Sequence, residues 1–138
     1  MSIILATLNS KYIHTNLAIR YLKANAPDFD ITLREYTLKD TLENMLNDLL
    51  SSKPKIIGFS VYIWNVEKTL QLINLLKEKD PTITIFMGGP EVSYDFDVWF
   101  SRIGAGGFCT GSLVIRLRKQ FLEHLPLHAS HVMLPLIL

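Results

Sequence analysis

Apolar and polar positions follow one another in blocks over the first hundred residues, and the blocks have the lengths of strands and helices. Residues 3–8, 56–61 and 83–87 are short apolar runs, free of charge and partly β-branched. Such runs are typical of strands buried on both faces, as parallel sheets require. Residues 30–38 alternate instead, with Ile31 and Leu33 on one side, so we predict an edge strand there.

Helical periodicity fills the segments between these strands. The predicted inward faces are, in chain order, Leu17, Ala18, Tyr21 and Leu22; then Leu42, Met45, Leu46, Leu49 and Leu50; then Val66, Leu70, Ile73 and Leu76. The predicted caps are Thr15 or Asn16 for the first helix, the pair Asp40 and Glu43 for the second, and Asn65 for the third. A fourth helix face is predicted over residues 96–103.

The repeated order of strand and helix predicts an α/β fold, a doubly wound parallel sheet in a three-layer α/β/α arrangement. We expect the flavodoxin-like strand order 2-1-3-4, which puts a topological switch point between the first and third strands. The loops that follow the strands, residues 9–16, 60–65 and 88–93, should then meet at the carboxyl edge of the sheet. Ligands of doubly wound folds bind at this edge.

The composition of these loops suits a flat ligand. Gly88 and Gly89 allow the backbone to approach a bulky group closely, and Tyr62 and Trp64 offer area for stacking. The alternative is that the glycines only turn the chain and the aromatic rings complete the core.

Global composition narrows the function classes. The chain has 138 residues, the length of one domain, and a mean hydropathy of +0.22. No run reaches the ~18 apolar residues that span a bilayer, and the first residues lack the features of a signal peptide, so no membrane association is expected. One cysteine points to a reducing cytoplasm, and a net charge of +1 gives no case for nucleic acid.

The composition changes near residue 102. Residues 1–101 carry ten Lys and Arg against twelve Asp and Glu, whereas residues 102–138 carry four against one, with three of the four histidines. We therefore divide the chain into an α/β domain, residues 1–103, and an atypical tail, residues 104–138, which begins with a glycine-rich loop at 104–112. The tail is interpreted as out of frame or truncated, with weaker order than the domain. The alternative is a strand at 113–115, a helix at 116–124 and an apolar end that mediates self-association.

Three stretches carry a family resemblance: LNSKYIHTNLAIRYL, IIGFSVYIWNV and ITIFMGGPEVSYD, in this order. The first hundred residues resemble the N-terminal cobalamin-binding domain of the cobalamin-dependent radical S-adenosylmethionine proteins. The resemblance implies a cobalamin-binding module and a radical S-adenosylmethionine barrel as partner domain in a methyltransferase-like parent enzyme. The barrel's CxxxCxxC motif does not occur here, and Cys109 alone cannot hold an iron–sulfur cluster. We therefore expect no such cluster and no catalytic centre in this chain.

The resemblance also implies which residues contact the corrin ring, from all three loops, with its lower face near Tyr62 and Trp64. They are Ser10, Lys11, Tyr12, Ile13, His14, Thr15 and Asn16; Ser60, Val61, Tyr62, Trp64 and Asn65; and Gly88, Gly89, Pro90, Glu91 and Val92.

His14 is the candidate axial ligand of cobalt. Corrinoid carriers of the D-x-H-x-x-G type pair such a histidine with an orienting carboxylate, whereas here Tyr12 and Leu17 stand where Asp and Gly belong. The alternatives for His14 are a cap of the following helix and simple exposure.

Two other functions are weighed. A flavin-binding module would use the same loops and aromatic rings, and a folded fragment or interaction domain would bind no cofactor. Other enzyme classes lack their motifs, because the sequence has neither a G-x-S-x-G elbow nor a G-x-G-x-x-G turn after the first strand.

Overall fold

The computed structural model describes residues 2–11, 15–89 and 91, together with the backbone of residues 107–109. The strands are β1 (Ile3–Asn9), β2 (Ile31–Thr37), β3 (Ile56–Ser60), β4 (Thr84–Gly88) and β5 (Gly107–Cys109). The helices are α1 (Leu17–Ala24), α2 (Leu42–Ser51) and α3 (Val66–Lys79). In the part of the chain that the structure describes, the strands form one parallel sheet in the order β2-β1-β3-β4-β5. The predicted order 2-1-3-4 and the doubly wound α/β class are confirmed.

Strand β5 was not predicted. It lies in the glycine-rich stretch 104–112, which we expected to be a loop, and it pairs with β4 through the register Phe86↔Phe108. Three residues, one of them glycine, are too few to show a period of two, so the pattern gave no strand. The division of the chain at residue 103 stays a prediction, although β5 extends the sheet past it. Several predictions lie outside the described residues: the helix at 96–103, the strand at 113–115, the helix at 116–124, and the order of the tail apart from residues 107–109.

The central strands are buried on both faces, as their composition predicts. One face of β1, β3 and β4 packs under α2 and α3, where Ile57, Phe59 and Met87 are fully buried. The other face packs under α1, where Ile3, Leu5 and Phe86 lie with Ile19. Strand β2 is at the edge of the sheet, and its side chains are half-buried except for Thr37. The prediction of an edge strand is therefore confirmed.

The predicted faces of α2 and α3 are confirmed, but that of α1 is wrong. Ile19 is the buried residue of α1, while Leu17 and Tyr21 are 63% and 54% exposed. Leu22 is partly buried in the core, and Ala18 is exposed. Five of the first six residues of this helix are apolar and lie on most of its sides, so periodicity alone does not identify the buried side.

The helix caps also differ in part from the prediction. Thr41, not Asp40, caps α2, since its side chain accepts from the N–H of Asn44 at 3.2 Å. Asp40 instead accepts the N–H of Thr37 at 2.6 Å and so closes the turn between β2 and α2. Asn16 caps α1, one of the two predicted residues, by accepting from the N–H of Ile19.

The edge strand is tied to α2 by a small polar cluster. The Tyr36 hydroxyl donates to Asp48 Oδ2 at 2.6 Å, and Arg34 Nε lies 3.2 Å from the same oxygen. Burial, followed by the hydrogen bond to Asp48, raises the pKa of Tyr36 far above its usual value, so the phenol stays a donor.

Candidate functional site

Small residues open a cleft at the carboxyl edge of the sheet. On the side that faces α1, β3 presents Gly58 and Ser60, and the register places Gly88 of β4 next to Ser60. Because these side chains are small or absent, the sheet does not fill the space beneath α1. A cleft of about 180 Å³ results, and its lining residues are Ala18, Ile19, Leu22, Gly58, Phe59, Ser60, Tyr62, Gly88 and Gly89. Its wall is apolar apart from the hydroxyl groups of Ser60 and Tyr62.

Asn65 holds the loop after β3 to the end of β1. Its side chain is fully buried and all of its hydrogen-bonding groups are used. Oδ1 accepts the N–H of Tyr62 at 2.8 Å, while Nδ2 donates to the carbonyl oxygens of Leu8 at 3.0 Å and Ser60 at 3.2 Å. Asn65 stands at the N-cap position, as predicted, but its side chain makes no cap hydrogen bond. It ties the loops together instead.

Asn16 makes the second link between these loops. Its Oδ1 caps α1, and its Nδ2 donates to the hydroxyl of Tyr62 at 3.2 Å and to Thr7 Oγ1 at 3.4 Å. Its backbone N–H donates to Glu35 Oε1 at 2.6 Å, and the other oxygen of that carboxylate binds Arg20. The ends of β1, β2 and β3 are thus joined through one buried residue, with the side chain of Asn16 bound to Thr7 and Tyr62 and its backbone N–H bound to Glu35.

Two aromatic rings stand at this edge of the sheet. Tyr62 and Trp64 stack with their ring centroids 4.5 Å apart and their planes only 4° from parallel. Tyr62 is half-buried, whereas Trp64 is 50% exposed. We call this pair the aromatic platform. The alternative in which these rings complete the core does not hold for Trp64.

Gly89 is required by a contact inside the protein. Its φ is +113°, and a Cβ built on it would lie 2.4 Å from the carbonyl oxygen of Val61 and 2.9 Å from the Val61 nitrogen. The Val61 N–H also donates to the carbonyl of Gly88 at 2.7 Å. The close approach that we attributed to a ligand is thus, at Gly89, an approach between the β3 and β4 loops.

The predicted site residues fall into three groups. The structure brings together Asn16, Ser60, Val61, Tyr62, Trp64, Asn65, Gly88 and Gly89. Ser10, Lys11 and Thr15 are exposed and Glu91 is half-buried. Tyr12, Ile13, His14, Pro90 and Val92 lie outside the described residues, so the ligation of cobalt by His14 stays a prediction.

A sequence profile decides the family: that of the B12 binding domain matches residues 3–109. This chain belongs to the B12 binding domain family. The resemblance drawn from the three loop sequences is therefore confirmed, as is the prediction of a cobalamin-binding module. Among curated protein sequences, none matches this B12 binding domain.

Solved structures agree with this family in fold. The cobalamin-dependent S-adenosylmethionine radical enzyme OxsB, with aqua-cobalamin and S-adenosylmethionine bound, aligns with a TM-score of 0.68 and 19% identity over 91% of this chain. A cobalamin-binding protein from Desulfitobacterium hafniense gives 0.61 and 15% over 87% of the chain and 58% of its own length. A CheY-like protein, TadZ from Pseudomonas aeruginosa, gives 0.56 and 15%, over 87% of this chain and 97% of its own. The B12 binding domain described here spans 19% of the length of OxsB.

Residues that sequence reasoning missed line the cleft of this B12 binding domain or support its loops. Ile19 and Phe59 line the cleft, while Thr7 and Glu35 bind Asn16. Thr7 carried a signal, because it is the one polar side chain in residues 3–8. Buried polar side chains need partners, so a threonine in a buried strand indicates a hydrogen-bonded network nearby.

Two features are absent from the described residues. Neither residues 2–11 nor residues 15–89 contain a helix long and apolar enough to cross a membrane. Within the same ranges, no three His, Cys, Asp or Glu side chains are grouped so that they would hold a metal ion.

Proposed function

We propose that this chain binds cobalamin over the ends of β1, β3 and β4, with the aromatic platform beside the corrin ring. The observation that carries the proposal is the apolar cleft next to that platform. A corrin is broad and flat, which suits several loops at one edge of a sheet better than a deep pocket. The chemistry that cobalamin supplies when bound is that of its cobalt ion. This chain's own residues do the binding and orienting.

The cleft fits one part of the cofactor. Its volume of about 180 Å³ is below the ~300–1,000 Å³ of pockets that take a whole ligand. It is comparable with the ~150 Å³ apolar cavity that accommodates one benzene molecule. Cobalamin carries a flat apolar base, dimethylbenzimidazole, on its nucleotide tail. We propose that the cleft receives this base while the corrin lies over the loops.

Binding of cobalamin by the purified chain tests the proposal directly. The chain is incubated with hydroxocobalamin or with flavin mononucleotide and passed through a desalting column. We expect the corrinoid absorption bands to elute with the protein and the flavin bands to elute separately. If flavin but not corrinoid elutes with the protein, the flavodoxin-like alternative is supported. If neither cofactor elutes with the protein and the chain dimerises tightly, the interaction domain is supported.

Filling the cleft from α1 tests the assignment of the base. Ala18→Phe places a ring in the cleft from an exposed helical position, so the core is left intact. We expect the affinity for hydroxocobalamin to fall roughly tenfold, which corresponds to about 1.4 kcal/mol. The affinity for cobinamide, which lacks the nucleotide tail, should change less than twofold. Isothermal titration calorimetry measures both.

The matched control is Ala24→Phe, the same change at an exposed position at the other end of α1 and outside the cleft. It should leave both affinities unchanged. An equal loss for cobalamin and cobinamide in Ala18→Phe would show that the cleft does not hold the base.

The rest of the proposal concerns the parent protein. The fold shared with OxsB, over only 19% of that enzyme's length, supports a longer protein in which a radical S-adenosylmethionine barrel is the partner domain. The single cysteine among 138 residues supports a reducing cytoplasm as the compartment. A frame change or truncation of the tail, and self-association through its apolar residues, stay predictions. Sequencing the downstream DNA in all three frames checks the frame, and size-exclusion chromatography checks the oligomeric state.

A further inference from the structure

The aromatic platform is held at two separate points. The backbone of Tyr62 is fixed by Asn65, whose Oδ1 accepts the Tyr62 N–H at 2.8 Å and whose own N–H donates to the Tyr62 carbonyl at 3.1 Å. The far end of the same side chain is fixed by Asn16, which donates to the phenol oxygen at 3.2 Å. With its backbone and its hydroxyl both held, the long axis of the Tyr62 ring keeps one direction.

Trp64 depends on Tyr62 for its own position. It is 50% exposed, and its neighbour Ile63 is 75% exposed, so the described residues confine little of the indole. Its indole ring stacks in parallel on the phenol ring of Tyr62. A change in the tilt of the phenol ring is therefore passed on to the exposed indole ring.

Asn16 is itself held firmly. It is buried, its Oδ1 accepts from Ile19 and its backbone N–H donates to the carboxylate of Glu35 at 2.6 Å. Glu35 also binds Arg20 at 2.6 Å, which joins the end of β2 to α1. The amide that holds the phenol is thus anchored on two elements other than the one that carries Tyr62.

We propose that Asn16 is a positioning residue for the aromatic platform: it acts through the Tyr62 hydroxyl and thereby sets the orientation in which Trp64 meets a flat ligand. The ligand in question is the corrin ring, so this part of the inference rests on the proposed function. In this role Asn16 acts through Tyr62 and does not itself contact the cofactor.

A double-mutant cycle tests the proposal, in a Trp99→Phe background that leaves Trp64 as the fluorescent residue. Asn16→Ser keeps the cap of α1, because serine is a good N-cap, but it is too short to reach the phenol. Tyr62→Phe keeps the stacking ring and removes only the hydroxyl. Each change should raise the acrylamide quenching of Trp64 and weaken hydroxocobalamin binding about fivefold, the value of one hydrogen bond of ordinary strength.

The double variant distinguishes positioning from independent contacts. If Asn16 acts through Tyr62, the variant with both changes should lose the same fivefold and show the same quenching as either single variant. A roughly twenty-five-fold loss, the product of two independent effects, would overturn the proposal. Unchanged quenching in both single variants would overturn it as well.

One control variant and one ligand-free measurement distinguish failure of the positioning role from failure of the proposed function. Thr41→Ala removes the cap of α2, a helix outside the hydrogen bonds that hold the platform, and should lower stability without changing the quenching of Trp64. The quenching experiment needs no ligand, so it decides the positioning role even if the chain without these substitutions fails to bind hydroxocobalamin. In that case the proposed function fails, while raised quenching in Asn16→Ser and Tyr62→Phe still supports the role of Asn16.

Discussion

Gly89→Val is expected to lower the free energy of unfolding by about 3 kcal/mol or more, out of the ~5–15 kcal/mol that stabilises a typical domain. A Cβ at this position lies 2.4 Å from the Val61 oxygen and 2.9 Å from the Val61 nitrogen. These are backbone atoms of the segment that follows β3, so no rotation of a side chain relieves the clash. The φ of +113° adds strain for any residue with a Cβ. Urea unfolding followed by far-ultraviolet circular dichroism measures the loss.

Alanine and asparagine at the same position separate the two causes. Asparagine tolerates positive φ better than alanine does, but both have the same Cβ. If the contact with Val61 dominates, Gly89→Asn should be no more stable than Gly89→Ala. A recovery of most of the wild-type stability in Gly89→Asn would show that backbone strain, not the contact, is what requires glycine.

Gly89→Val should also weaken cobalamin binding more than His14→Ala does. Val61 directly precedes Tyr62, so moving it displaces the aromatic platform, and a loss of about 2 kcal/mol corresponds to roughly thirtyfold in affinity. Titration of folded variants with hydroxocobalamin measures the effect. If His14→Ala abolishes binding and shifts the cobalt absorption bands, His14 is the axial ligand and the ranking is reversed.

The parallel sheet was predictable because the composition of its strands indicates that both faces of each strand are buried. Runs such as residues 56–61 are apolar on both sides, and only a sheet covered by helices on both faces buries them completely. The α2 face was predictable for the same reason, since Met45, Leu46 and Leu49 recur at helical spacing and are all buried. The buried side of α1 was not, because tertiary packing chose Ile19 from several apolar candidates.

The site was predictable as a place but not as a set of contacts. Strand order alone puts the loops after β1, β3 and β4 at one edge. The links between them are non-local: Asn65 reaches Leu8 across 57 positions, and Asn16 reaches Tyr62 across 46. A local pattern makes both asparagines helix caps, and only the folded chain shows the second role of Asn16 and the different role of Asn65. The cleft was in principle predictable, since Gly58 and Ser60 alternate with the large residues Ile57 and Phe59 along β3.

Asn65→Leu should cost about 3 kcal/mol or more, although leucine has nearly the same size. The change leaves the part-buried N–H of Tyr62 and the buried carbonyl of Leu8 without this partner, and each buried group left unpaired costs ~1–3 kcal/mol. The carbonyl of Ser60 loses less, because Thr7 Oγ1 still donates to it at 3.4 Å. Asn74→Leu, the same change at an exposed position of the same helix, is the matched control and should stay within about 0.5 kcal/mol of the parent.

Asn65→Asp turns the same network into a pH-dependent one. The carboxyl group keeps the acceptor for Tyr62 but points its second oxygen at the carbonyl oxygens of Leu8 and Ser60, where asparagine had a donor. Burial and these two oxygens favour the protonated acid, so its pKa in the folded state is expected to lie above the ~3.9 of an unfolded chain. A raised pKa gives stability that is fully present below the unfolded value and is lost as the pH rises through the folded value. The stability of Asn65→Asp relative to the parent should therefore fall between pH 4 and pH 8, while that of Asn74→Asp should not. Equal pH profiles for the two variants would mean that the Asn65 amide does not face these carbonyls in solution, and the side-chain links between the end of β1 and the β3 loop would then be those of Asn16 and Thr7.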